Sequence, residues 1–130
     1  KFSLPNPLPV DRELLAKAIF DANNYMGECK ARVHYLEKYT KVLFSKLCIQ
    51  EKGNKTGKEA EWHAHNHRDY SKHLEDLCMD EVELFRANAM VLQLSHHQDD
   101  LRQEKALGYL RCYLILWGFL TLIILYRLMI

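Results

Sequence analysis

All three prolines of this chain, Pro5, Pro7 and Pro9, lie within its first nine residues, and only five glycines are spread over its 130 positions. From Val10 onward almost nothing breaks a helix, so the spacing of apolar residues decides the structure. That spacing is helical almost throughout and predicts an all-α protein. The length allows one domain with a modest core.

Asp11 is a good N-cap, because its carboxylate can accept from free backbone N–H groups of the first turn. Val10 and Leu15 flank it at the spacing of a hydrophobic staple. Apolar positions then step by threes and fours through Leu15, Ile19, Ala22, Met26, Cys29, Val33, Leu36, Thr40, Leu43 and Leu47. This is a coiled-coil-like seam with a single threonine in it. It stops at "EKGNKTGKE", where Gly53 suits the left-handed position that closes a helix. Thr56 and Glu59 fit the T-x-x-E capping box that opens the next one. So short a connection, near residues 53–56, predicts an antiparallel helical hairpin.

The second helix carries Trp62, Tyr70, Leu74, Leu77, Val82, Leu84, Phe85, Val91, Leu92 and Leu94. Folding back about the turn sets residue i opposite roughly residue 109 − i. The expected pairs are Leu47 with Trp62, Leu36 with Leu74, Val33 with Leu77, Met26 with Leu84, Ile19 with Val91, and Leu15 with Leu94. Charge supports the same pairing. Residues 30–58 hold eight Lys/Arg against two Asp/Glu, and residues 59–108 hold five against eleven. The net charge of +1 therefore hides a basic block facing an acidic one. Such a distribution differs from the domain-wide basic excess usual in nucleic-acid-binding proteins. Tyr25, Tyr35, Tyr39, Phe44 and Phe85 widen the apolar surface beyond one seam. Two helices alone bury little, so self-association or other protein subunits are expected as partners.

From Gly108 to Ile130 the composition changes: "GYLRCYLILWGFLTLIILYRLMI" has no charge between Cys112 and Tyr126. At 1.5 Å per residue those fifteen positions cover only about 22 Å, but the 23 residues together reach the roughly 30 Å of a hydrocarbon core. Arg111 and Arg127 near the two ends can snorkel toward headgroups. Tyr109, Tyr113, Trp117 and Tyr126 supply the amphipathic aromatic rings of a membrane anchor. The expected organisation is an extended segment over 1–10, a hairpin over 11–107 and a transmembrane helix over 108–130, with the lipid bilayer as partner. Arg102, Lys105 and Arg111 outnumber Arg127, which places the hairpin on the cytoplasmic or matrix side by the positive-inside rule. "KFSLPNPLPV" has no apolar h-region and does not read as a signal peptide.

Candidate chemistry is sparse. In "WHAHNHRDY" the alternation of His63, His65 and His67 would suit metal ligands on a strand. The capping box instead places them in the first turns of a helix, where only His63 and His67 share a face and a third ligand is missing. His34, facing His73 and Glu75, forms a second small cluster. The acids from Glu75 to Glu83 read as a solvated face, and "GNKTG" lacks the spacing of a phosphate loop. Cys29, Cys48, Cys78 and Cys112 show no C-x-x-C and read as reduced thiols. The expectation is a non-enzymatic protein without cofactor or metal. Lys52, Lys55 and Lys58 cluster around the turn and are the candidate contacts for a polar partner.

The stretches "DANNYMGECKARVHYLEKYTKVLFSKL", "KTGKEAEWHAHNHRDYSKHLEDL" and "ELFRANAMVLQLSHHQDDLRQEKA" resemble the helical-hairpin recombination mediators of tailed phages. The positions concerned are Tyr35-Leu36-Glu37, Lys55-Thr56, Asp69-Tyr70, Leu74-Glu75, Leu77 and Leu101-Arg102-Gln103, within residues 20–106. The resemblance implies a soluble oligomer that binds single-stranded DNA and helps to load a recombinase. No DNA-contact residues carry over from it. The residues themselves favour a single-pass membrane protein whose hairpin is a scaffold or accessory subunit of a larger assembly, a respiratory complex being one such setting. Nucleic acid is a partner only under the phage-type alternative.

Overall fold

The computed structural model describes residues 1–130 and contains three helices and no strand, α1 over Arg12–Lys52, α2 over Gly57–His65 and α3 over Arg68–Met129. The first helix begins where its cap predicts. The Asp11 carboxylate accepts from the backbone N–H groups of Glu13 and Leu14, both at 3.0 Å. It ends at Gly53, whose φ of +34° and ψ of −120° suit glycine alone. Thr56 and Glu59 form the expected reciprocal box: the Thr56 N–H donates to the Glu59 carboxylate at 2.9 Å, and the Glu59 N–H donates to the Thr56 hydroxyl at 3.4 Å.

Two features of the second arm differ from expectation. The helix opened by Thr56 lasts only nine residues and ends at His65. Asn66 closes it by donating its side-chain amide to the Trp62 carbonyl at 2.8 Å. His67 then takes an extended conformation, φ −70° and ψ 136°, and caps α3 by accepting from the Asp69 N–H at 3.1 Å. The second difference is continuity. The arm that pairs with α1 and the apolar segment from Gly108 are one helix of 62 residues. The expected boundary at 107/108 is a change of composition, not of backbone.

The break decides which residues face inward. In α2 the i, i+4 pair Ala60 and Ala64 is buried, Ala64 against Leu43 and Leu47, and Trp62, two residues out of phase, is 64% exposed. Trp62 therefore does not join Leu47 in the core; the small Ala64 does. After the phase is reset at His67, Tyr70, His73 and Leu77 turn inward and Leu74 turns out. His73 takes the place expected of Leu74 opposite Leu36. Farther along, the register holds: Leu15, Ala18, Ala22 and Leu94 form one cluster, with Ile19 and Val91 packed on it. Phe2, Leu4 and Leu8 also pack there, so the irregular N-terminal segment folds back over the hairpin. The Pro9 carbonyl meets the His97 Nε2 at 3.0 Å and fixes that segment's end.

Removing the cap hydroxyl in Thr56→Ala is expected to lower unfolding free energy by about 1 kcal/mol. Gly53→Val, which puts a β-branched residue at positive φ, is expected to cost somewhat more, about 1–2 kcal/mol. Denaturant unfolding followed by circular dichroism measures both; unchanged midpoints would place the turn elsewhere.

Candidate membrane segment and the polar seam

The apolar end of α3 meets nothing in the chain. Every residue from Arg102 to Ile130 is exposed, including Leu110, Leu114, Ile115, Leu116, Phe119, Leu122 and Ile123. This surface is apolar all round rather than on one face. A helix of that kind is stable only inside a large core or a bilayer. By length and composition α3 is able to cross a membrane, and none of its qualifying window is buried in the protein. Tyr109 and Tyr126 stand 17 positions apart, about 25 Å along the axis. Arg111 and Arg127 bracket the same stretch, Tyr113 lies one turn beyond Tyr109, and Trp117 lies between the two ends. The hydroxyl of Thr121, the one Ser/Thr hydroxyl after Gly108, donates to the Gly118 carbonyl at 2.8 Å. It therefore requires no partner outside its own helix.

The expected tip residues lie at the opposite end of the molecule. Lys55 is held by Glu51, Nζ to Oε2 at 3.0 Å, and this contact keeps the Glu51 carboxyl below its ordinary range. Lys52 ends α1, where a cation favours the helix dipole, and Lys58 is exposed at the start of α2. From Arg68 to Gly108, α3 runs forty residues, about 60 Å. The lysines and the apolar segment are thus separated by the whole length of the hairpin.

The histidines do not converge on one site. His65 packs tilted against Phe44 and edge-on to Tyr70, with ring centroids 4.5 and 5.6 Å away. His67 is a cap, and His34 is exposed beside Glu37 at 3.9 Å rather than facing His73. No group of three metal-ligating side chains converges anywhere in the chain. His73 is buried, and its Nε2 lies 2.8 Å from the Thr40 hydroxyl and 3.1 Å from the Leu36 carbonyl. Thr40 itself donates to Leu36 at 2.8 Å, so the Nε2–H tautomer of His73 satisfies all three groups. The one threonine in the α1 seam therefore has a partner across the hairpin.

Two further polar links cross the hairpin. Arg32 Nε lies 3.7 Å from Asp80 Oδ1, the direct contact between the basic and acidic blocks. The Tyr25 hydroxyl donates to Glu83. That bond lowers the Glu83 carboxyl, aided by Lys1 and Arg86 and opposed by desolvation. The same bond, with burial and Cys29, pushes the Tyr25 hydroxyl up to about 12. Two clefts lie along the hairpin, one of about 350 Å³ at Arg32, Tyr35 and Asp80 and one of about 500 Å³ between Val10, Leu15, Leu101 and Arg102. Compared with known protein families, curated proteins and solved structures, the chain matches none.

The bonded pair is a neutral tyrosine and an ionised glutamate, which fixes the pH window. Glu83 is depressed, so its contribution is present above the ordinary carboxylate value of about 4.3 and fades as pH falls through the folded value. Tyr25 is raised, so its contribution is whole below about 10 and is lost as pH rises through about 12. Tyr25→Phe is expected to be less stable than the parent at neutral pH, with the gap closing in acid. Denaturant titrations at pH 3 and 7 check this, and a gap independent of pH would contradict the pairing.

Proposed function

We propose that this chain is a non-enzymatic, single-pass membrane protein whose helical hairpin is a scaffold or accessory subunit of a larger membrane assembly. The observation that carries it is the end of α3, apolar on every face and covered by no other part of the chain. Lipid is the solvent that suits such a surface, because it makes no distinction between faces. The excess of Lys/Arg at the hairpin side of the span supports a hairpin on the cytoplasmic or matrix side.

An uninterrupted helix from span to hairpin gives the proposal mechanical content. The hairpin is not tethered by a flexible linker but stands on the span as its direct continuation. It carries the turn, with Lys52, Lys55 and Lys58, about 60 Å from the bilayer. At that distance, several Debye lengths, these lysines are out of reach of the headgroups and are offered to a protein partner or another polar surface.

The full chain is expected to fractionate with membranes and to resist carbonate extraction. Deleting residues 108–130 is expected to release a soluble helical protein. A full chain that is soluble and monodisperse without detergent would refute the span. Tight binding of single-stranded oligonucleotide by the soluble form, weakened by reversing Lys52, Lys55 and Lys58 to Glu and steeply dependent on salt, would replace this function with the phage-type alternative.

A further inference from the structure

Between the turn and the apolar segment, α3 carries a second seam that the hairpin does not use. Its inward stripe, through His73, Leu77, Leu84, Ala87, Val91 and Leu94, meets α1. On the opposite side Cys78, Val82, Phe85, Ala89 and Leu92 follow one another at spacings of four, three, four and three, and all five are exposed, Phe85 by 74%. This is a heptad seam, with Val82 and Ala89 at a and Cys78, Phe85 and Leu92 at d. The outer face of α1 carries a different, more aromatic stripe, Tyr35, Tyr39, Val42 and Ile49, interrupted by Lys46.

We propose that this face pairs with the same face of a second copy of the chain, in a parallel two-stranded arrangement. It rests on the membrane span proposed above, since two copies crossing one bilayer in the same sense hold their α3 helices parallel and at the same height. Charge complementarity selects the same partner. In a parallel pair the residue at g meets the residue five positions later, at e, on the other helix. Here g is Glu81 and e is Arg86, which gives an opposite-charge pair on each side of the seam. The next such pair is Asn88 with Gln93, two amides. Arg86 is free to reach across: its side chain is 63% exposed and its one ion pair is a 3.6 Å contact with Glu83 of the same helix. A β-branched Val82 at a with Leu92 at d favours two strands, and small Ala89 makes room beside the two Phe85 rings.

The seam is short. Below it come Asp99 and Asp100, and Asp99 is neutralised within its own chain by Arg102 at 3.5 Å. So brief a coiled coil depends on the span to keep two copies at high effective concentration. The turn lysines and the aromatic face of α1 stay outside this interface and free for another partner.

Cys78 lies on the axis of such a pair, whereas Cys112 falls at a position away from the seam. The test is cross-linking of the full chain in native membranes with a short bis-maleimide. A dimer is expected with the parent and with Cys112→Ser, and none with Cys78→Ser. Moving the thiol one and a half heptads, as Ala89→Cys in the Cys78→Ser background, should restore the dimer. An antiparallel pair puts only one level on its axis, so self-linkage at 89 but not 78, or at 78 but not 89, would overturn the parallel arrangement. Glu81→Lys and Arg86→Glu, each alone, should reduce the dimer several-fold, and the two together should recover it. Insensitivity to these charges, or linkage only to a protein of different mass, would overturn the proposal. Carbonate extraction of the same membranes separates the two failures: a retained chain that does not cross-link refutes the pairing alone, and an extracted chain refutes the span.

Discussion

Two helices packed side by side can each bury only one stripe, and this limit governs the molecule. Only 12 of the 130 residues are buried, and they follow the contact line of α1 with α2 and α3. So thin a core cannot supply stability by volume, and the structure supplements it with local devices. The reciprocal box at Thr56 and Glu59 holds the turn, and Phe2, Leu4 and Leu8 fold back to cover the open end near Leu15 and Leu94. The polar links at His73, Glu83 and Asp80 lie along the seam rather than at the surface away from it. Paired polar groups contribute less to stability than apolar packing would, but they penalise a shifted register, because a slip leaves His73 or Thr40 without a partner.

The sequence made α1 fully legible and the second arm only half so. All ten residues of the α1 stripe, Leu15 to Leu47, are buried or half-buried, because the helix has one apolar stripe and hence one choice of inner face. In the second arm Leu77, Leu84, Val91 and Leu94 face inward as their spacing suggests, whereas Leu74, Val82, Phe85 and Leu92 face out. That helix has two apolar stripes of equal periodicity, and periodicity alone cannot say which one α1 takes. The choice is made by the extended residue His67. Each helical residue turns the chain by about 100°, so one non-helical position resets the phase of everything after it. Neither Asn66 nor His67 is a strong helix breaker, so no simple composition signal marks the site.

The same ambiguity affected the histidines. Alternation in "WHAHNHRDY" draws attention to metal chemistry, but the three residues lie in three unrelated settings, beside Trp62, against Phe44 and Tyr70, and at the cap of α3. What could have been read in advance is the pairing of Thr40 with His73. A lone hydroxyl in an apolar seam needs a partner, and the register rule puts His73 within one turn of it.

Exposed apolar surface on this chain is of two kinds, and they call for different surroundings. From Gly108 onward it encircles the helix, so no single protein face could cover it, and an isotropic apolar medium is the simplest match. Between Cys78 and Leu92 it is a stripe bounded by charged residues, which a bilayer would not accept and one partner helix would cover. Because α3 passes from one kind to the other without interruption, whatever holds the apolar segment also fixes the height and direction of the stripe. A bilayer would thereby do for this hairpin what a third helix does in a soluble bundle: it removes the freedom to tilt and slide before any side chain at the seam makes contact.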